Sequence, residues 1–236
     1  GPEVCREREL RGKKISLLGR MIQDGDDQAT GFVDLSDTAN RIAPRVNASL
    51  TSVPGPGPDA ADTKAPPAGR LLLFGGDDGN NARDDLWVYD IGAGRWDEPD
   101  AIKGAKPTGR SRHTFTLVRY HRDETQLEED RVYLYGGVGQ HTEEVMYLDL
   151  LRSCWVTPRT IGEKPAALLG HTAGQVGATL FVVGGRDARR AYNAVWKLNT
   201  QTHEWAKPMP MGNPPPPCSK HIMVVMETRL YVALGE

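Results

Sequence analysis

An apolar run closed by a pair of glycines, Arg70-Leu-Leu-Leu-Phe-Gly-Gly76, constrains the fold more than any other feature, because it returns. Arg131-Val-Tyr-Leu-Tyr-Gly-Gly137 and Thr179-Leu-Phe-Val-Val-Gly-Gly185 are the same phrase. Worn copies stand near both ends, at Lys14-Ile-Ser-Leu-Leu-Gly-Arg20 and Arg229-Leu-Tyr-Val-Ala-Leu-Gly235. Recurrence of this kind marks an array of similar units, each too small to bury its own surfaces.

Two further landmarks keep register with the glycines. Tryptophan follows at 20, 18 and 20 residues, as Trp96, Trp155 and Trp205. Between them lie the alternating segments Leu86-Trp-Val-Tyr-Asp90, Val145-Met-Tyr-Leu-Asp149 and Val195-Trp-Lys-Leu-Asn199, with Asp or Asn six residues before each Trp. Upstream, His113, His171 and His221 each precede a β-rich stretch, and Ala48 takes their place in the first unit. Each unit therefore reads as four short antiparallel strands. The first carries His, the second ends in Gly-Gly, the third ends in Asp or Asn, and the fourth carries Trp. Two inserts, Pro54 to Gly69 and Tyr120 to Asp130, join the first strand to the second and read as surface loops.

Charge and cysteine content exclude several classes. Lys plus Arg number 29 against 31 Asp plus Glu, so there is no large basic field and no expectation of nucleic acid. No apolar run approaches membrane-spanning length. Cys5, Cys154 and Cys218 show no disulfide or zinc spacing, which points to a reducing, cytoplasmic setting.

On the three Gly-Gly pairs with their Trp partners, the sequence resembles the kelch-repeat β-propeller family, over nearly the whole chain. The resemblance implies an all-β ring of four-stranded antiparallel blades. Here it is a partial or incomplete ring, with three full repeats and partial ones at both ends. The expected divisions are an N-terminal extension at 1–13 and kelch repeats over 14–236. Within the latter lie a degenerate partial repeat at 14–44, repeats at 45–99, 110–158 and 168–208, and a partial repeat at 218–236. Six or seven blades are usual in the family, so the chain is expected to belong to a longer protein or to have its ring completed by another segment.

Recurrence in register assigns His113, His171 and His221 to architecture rather than to metal or proton chemistry. The loop histidines His121, His141 and His203 are expected to be solvated. The glycine pairs lack the context of a phosphate loop or dinucleotide site. No paired carboxylates or nucleophile–base arrangement is visible, and the cysteines lack the setting of the copper oxidases that share this fold. No cofactor or metal and no enzymatic activity are therefore expected.

What remains is a binding surface. The resemblance implies docking of a protein partner on the face formed by the loops between strands two and three and between strand four and the next strand one. The matching residues before the first strand are Asn47, Arg112, Gly170 and Lys220, with Arg45 and Arg110 two positions upstream of Asn47 and Arg112. Those after the glycines are Asp77, Val138 and Arg186. The expected partner-binding set is Arg45, Asn47, Asp77, Arg110, Arg112, Arg186 and Lys220. Their charge suits an acidic peptide segment. The expected role is a non-enzymatic scaffold or adaptor. The alternative is the recognition propeller of a larger enzyme, such as a kelch phosphatase or ubiquitin-ligase adaptor, or a propeller oxidase of the galactose-oxidase type.

Overall fold

A computed structural model of the chain describes residues 8–10, 13–15, 19–23, 30–34, 42–55, 69–99, 101–121, 128–209, 211–233 and 235. Three sheets carry the repeats. Blade A contains Ser49–Val53, Arg70–Phe74, Leu86–Asp90 and Arg95–Asp97. Blade B contains Thr114–His121, Glu128–Tyr135, Met146–Asp149 and Cys154–Val156. Blade C contains Thr172–Val176, Thr179–Val183, Val195–Asn199 and Glu204–Ala206. In each, consecutive strands pair antiparallel in sequence order. Ile222–Met226 and Arg229–Ala233 form a further hairpin, blade D. The first strands of A, B, C and D lie side by side, which makes the array an arc of propeller blades.

The recurring Asp or Asn at the end of the third strand organises the turn into the fourth. Asp90 Oδ1 accepts the Ala93 N–H at 2.8 Å, and Asp149 Oδ1 accepts that of Arg152 at 2.8 Å. Asn199 Oδ1 accepts those of Gln201 and Thr202. A short side-chain acceptor two or three residues upstream mimics a backbone turn, so the position favours Asx residues.

The residue before each glycine pair is the plug between blades. Phe74 of blade A lies 5.5 Å from His113 and 5.5 Å from Trp155, both of blade B. Tyr135 of blade B stands likewise between His171 and Trp205 of blade C, each 5.4 Å away. Burial of these aromatic faces is the main apolar gain of blade stacking. Backbone bonds complete the seam. The second glycine donates to the carbonyl three residues before the next blade's His: Gly76 to Arg110 (2.9 Å), Gly137 to Leu168 (2.8 Å) and Gly185 to Cys218 (2.9 Å). The first glycine has φ near +65° and lies against that same His ring. A side chain there would need both a left-handed backbone and space the ring already fills.

Two features depart from the sequence expectation. The insert at 120–130 lengthens a hairpin rather than forming only a loop. The first two strands of blade B run eight residues each, and Arg119 clamps Asp130 with two bonds of 3.0 and 3.1 Å. Part of this insert, 122–127, lies outside the described residues, as do 56–68 of the first insert. In addition, the linkers between blades cap outer edges. Ile161–Gly162 pairs parallel with Glu204–Trp205, and Lys103 bridges to Cys154 in the same way. Covering an edge strand blocks unwanted pairing. The worn copy at 14–20 is divided between two hairpins, since Lys13–Ile15 pairs with Arg8–Leu10 and Gly19–Gln23 with Thr30–Asp34. No described helix is long and apolar enough to cross a membrane.

Candidate docking face

A chain of backbone hydrogen bonds links the residues that precede the first strands. Arg112 N–H donates to Asn47 O at 3.0 Å, Gly170 N–H to Arg112 O at 3.0 Å, and Lys220 N–H to Gly170 O at 2.7 Å. All four have left-handed φ, at 56°, 58°, 64° and 56°. The bend turns each side chain out of the sheet, so Asn47, Arg112 and Lys220 are exposed. A left-handed conformation is unusual for Arg and Lys and is held here by an interblade bond on either side of Arg112 and by one at Lys220.

The residues after the glycines lie on the same face. Asp77 bridges to Val46, Val138 to Ser111, and Arg186 to Leu169. In blade C the loop is fixed by Asp187. Its carboxylate accepts the Arg189 and Arg190 N–H groups and the Tyr192 hydroxyl at 2.7, 2.8 and 2.6 Å. The Tyr192 hydroxyl is the largest cause holding the Asp187 pKa down at about 2, followed by the two backbone donors. Arg190 lies over the Tyr192 ring. Arg186 and Arg189 remain exposed, and among the described residues the Arg186 guanidinium donates only to the Asp187 carbonyl. Among the described residues no carboxylate of the chain pairs with the guanidinium of Arg112, Arg186 or Arg189. Arg189 was missed from sequence because it stands outside the repeat register.

Asp77 is half-buried and its Oδ1 accepts the Gly79 N–H at 2.6 Å. Arg45 and Arg110 lie inward of this face. Arg45 clamps Asp85 through Nη1–Oδ1 at 2.5 Å and Nη2–Oδ2 at 2.8 Å, with its side chain 6% exposed. Arg110 is 1% exposed.

The in-register histidines are buried interblade contacts. His171 Nε2 is 3.0 Å from Thr114 Oγ1, and His221 Nε2 is 2.7 Å from Thr172 Oγ1. Among the described residues no group of three or more His, Cys, Asp or Glu is placed to hold a metal. Of the loop histidines, His141 is exposed, whereas His203 is half-buried rather than fully solvated. It stacks on Tyr147 with rings 6.0 Å apart and approaches the Tyr133 hydroxyl at 3.4 Å. The His121 side chain lies outside the described residues.

Burial sets the proton chemistry of the seam. Desolvation, then the charge of Arg110, pulls His113 down to about 3, and desolvation pulls His171 down to about 4. Both values lie below the ordinary imidazole pKa, so the unfolded chain binds protons that the folded chain does not. Stability from this source is complete above about pH 6.5 and falls by about 1.4 kcal/mol per pH unit for each histidine as pH drops toward those values. Chemical denaturation between pH 7 and pH 5 is expected to show this loss. His171→Gln should make the slope shallower, whatever its effect at pH 7.

On the opposite face, which carries the strand three-to-four turns and the strand one-to-two hairpins, ion pairs join described residues. Asp97 pairs with Arg95, Asp130 with Arg119 and Asp149 with Arg152.

Comparison with known proteins agrees with the repeat geometry. The KLHDC2/KLHL20/DRC7 Kelch-repeats domain matches residues 124–236. The human Rab9 effector protein with kelch motifs is 29% identical over 175 residues, covering 71% of this chain and 44% of that protein. The Arabidopsis thaliana tRNA wybutosine-synthesizing protein 2/3/4 is 36% identical over 116 residues, 48% of this chain and 12% of its own length. The Arabidopsis thaliana serine/threonine-protein phosphatase BSL2 is 30% identical over 178 residues, 63% of this chain and 16% of its own length. The chain thus spans less than half the length of each of these relatives. With its glycine pairs, plug aromatics and Trp residues in one repeated geometry, the chain has the architecture of kelch-repeat propellers.

Proposed function

We propose that this propeller is a non-enzymatic interaction module, a scaffold or adaptor that binds an acidic segment of another protein. Docking uses the face bearing Asn47, Asp77, Arg112, Arg186 and Lys220, with Arg189 added. The observation that carries this reading is the set of exposed guanidinium groups, Arg112, Arg186 and Arg189, none paired with a carboxylate among the described residues. Exposed arginines left uncompensated favour a carboxylate-bearing ligand and speed its encounter. By its name one relative with kelch motifs is an effector of Rab9, which supports a protein partner here. A cytoplasmic setting belongs to the same proposal, because the described cysteines Cys154 and Cys218 are unpaired.

A second reading, the recognition part of a larger enzyme, is favoured by the phosphatase and wybutosine relatives, which extend far beyond the matched region. Both readings place binding on the same face. The test is affinity capture of partners by the wild-type chain and by Arg112→Gly/Arg186→Ala. Gly170 occupies the register of Arg112, so glycine preserves that backbone. Loss of the captured partner by at least about tenfold is expected, equivalent to about 1.4 kcal/mol. Unchanged capture removes the face assignment.

A further inference from the structure

The position three residues before each in-register His, or Ala48, is Arg45, Arg110, Leu168 and Cys218 in blades A to D. In blade A it holds a carboxylate: Arg45 grips Asp85 with two parallel bonds and also donates to Gly75 O at 3.0 Å. In blade C it is a buried leucine. The blade therefore does not require arginine there. In blade B it is Arg110, 1% exposed, and its fork is only partly filled. Nε donates to Thr108 O at 3.2 Å and Nη2 to Thr108 Oγ1 at 3.1 Å, while Nη1 is buried with no partner.

The missing carboxylate can be traced. Asp85 stands five residues before Asp90, and Glu144 stands five before Asp149. Glu144 is thus the register counterpart of Asp85, but it is exposed and forms no ion pair with Arg110, on which it and Glu143 act only through their charge. The cause is loop length. Gly76 to Asp85 is 9 residues, whereas Gly137 to Glu144 is 7. In blade A the first glycine donates to Asp85 O, and in blade C Gly184 donates to Ala194 O. In blade B Gly136 donates instead to Thr142 O, which moves Glu144 away from the slot. A buried guanidinium with an empty donor is costly to the fold and strongly complementary to a planar anion.

We propose that Arg110, in the slot between blades A and B, receives an aspartate or glutamate side chain of the docked partner, with Glu144 as the built-in competitor. This rests on the proposed docking face, whose exposed Arg112 lies two residues away. The incoming carboxylate completes the fork as Asp85 does for Arg45. It enters from the side of His141, Glu143 and Glu144, which are exposed around the buried Thr142.

The test uses hexaglutamate, acetylated and amidated at its ends, as the probe, with hexaglutamine as control, and affinity read by calorimetry. Arg110→Leu installs the residue that blade C buries at this register. The expected result is a loss of hexaglutamate affinity of about tenfold or more in Arg110→Leu. Glu144→Gln should tighten binding severalfold in the wild-type background and have no effect in Arg110→Leu. Where Arg110→Leu does not fold, the same question is read in the wild type from the Arg110 side-chain NH resonance, which should move on adding hexaglutamate and not hexaglutamine. Wild-type-like binding by Arg110→Leu, an unmoved Arg110 resonance, an indifferent Glu144→Gln, or no hexaglutamate binding by the wild type overturns the proposal. If Arg112→Gly/Arg186→Ala loses the probe while Arg110→Leu keeps it, the docking face stands and the slot falls. If neither variant loses it, both fall.

Discussion

Gly136→Ala is expected to destabilise the chain by roughly 3 kcal/mol or more, from two independent costs. Gly136 has φ +70°, a left-handed conformation that a Cβ strains by roughly 1 kcal/mol. Its Cβ would also lie 2.4 Å from His171 Cε1 and 2.5 Å from Leu168 O. The first neighbour is a ring held by Thr114 and Tyr135, and the second is backbone of the next blade. Neither yields without opening the seam between blades B and C. Gly177→Ala separates the two costs. Its φ is +55°, yet a Cβ there meets nothing within 4 Å, so only the backbone term of roughly 1 kcal/mol applies. Combining Gly136→Ala with His171→Ala should recover part of the loss relative to additivity, because the ring clash disappears while the Leu168 carbonyl remains. Urea denaturation of these three variants and of His171→Ala measures each quantity. Equal costs at Gly136 and Gly177 would show that the His contact is not the constraint.

Trp155→Ala should cost about 3–5 kcal/mol, the range for deleting a large buried aromatic. Trp155 is buried and packs on Phe74 at 5.5 Å and Phe115 at 6.0 Å, joining two blades. The cavity has little means of collapsing, since Phe74 is held on its other side by His113. For a chain of this length the melting temperature should fall by roughly 2–4 °C per kcal/mol. A Phe74→Ala/Trp155→Ala cycle should give a coupling of order 1 kcal/mol, as expected for residues in direct contact. An uncoupled pair would contradict the plug arrangement.

These two sites show what was legible in the sequence. The glycine pair and Trp155 stood out because the same backbone constraint acts in every blade, and repetition exposes it. The role of Phe74 and Tyr135 was hidden, because an aromatic at the end of an apolar strand satisfies many packings. The edge caps at Lys103 and Ile161–Gly162 were invisible for a related reason: two-residue pairing leaves no periodic signal. At the candidate face, sequence register located Arg112, Arg186 and Lys220, whose exposure follows from the left-handed bend and from the loop after the glycines. It could not separate Arg45 and Arg110, identical in register, one filled by Asp85 and the other left partly open. That difference depends on two residues of loop length in blade B. His203 was misread because its stacking partner, Tyr147, lies on another blade.

Amide hydrogen exchange of the chain with a captured partner bound tests the central claim most directly. The account predicts new protection at residues 110–112, 138–144 and 186–190, around Arg112, Val138 and Arg186. Little change is expected at the opposite turns, residues 91–94, 150–153 and 200–203. Protection confined to those turns, with the glycine-pair face exchanging as in the free chain, would contradict it.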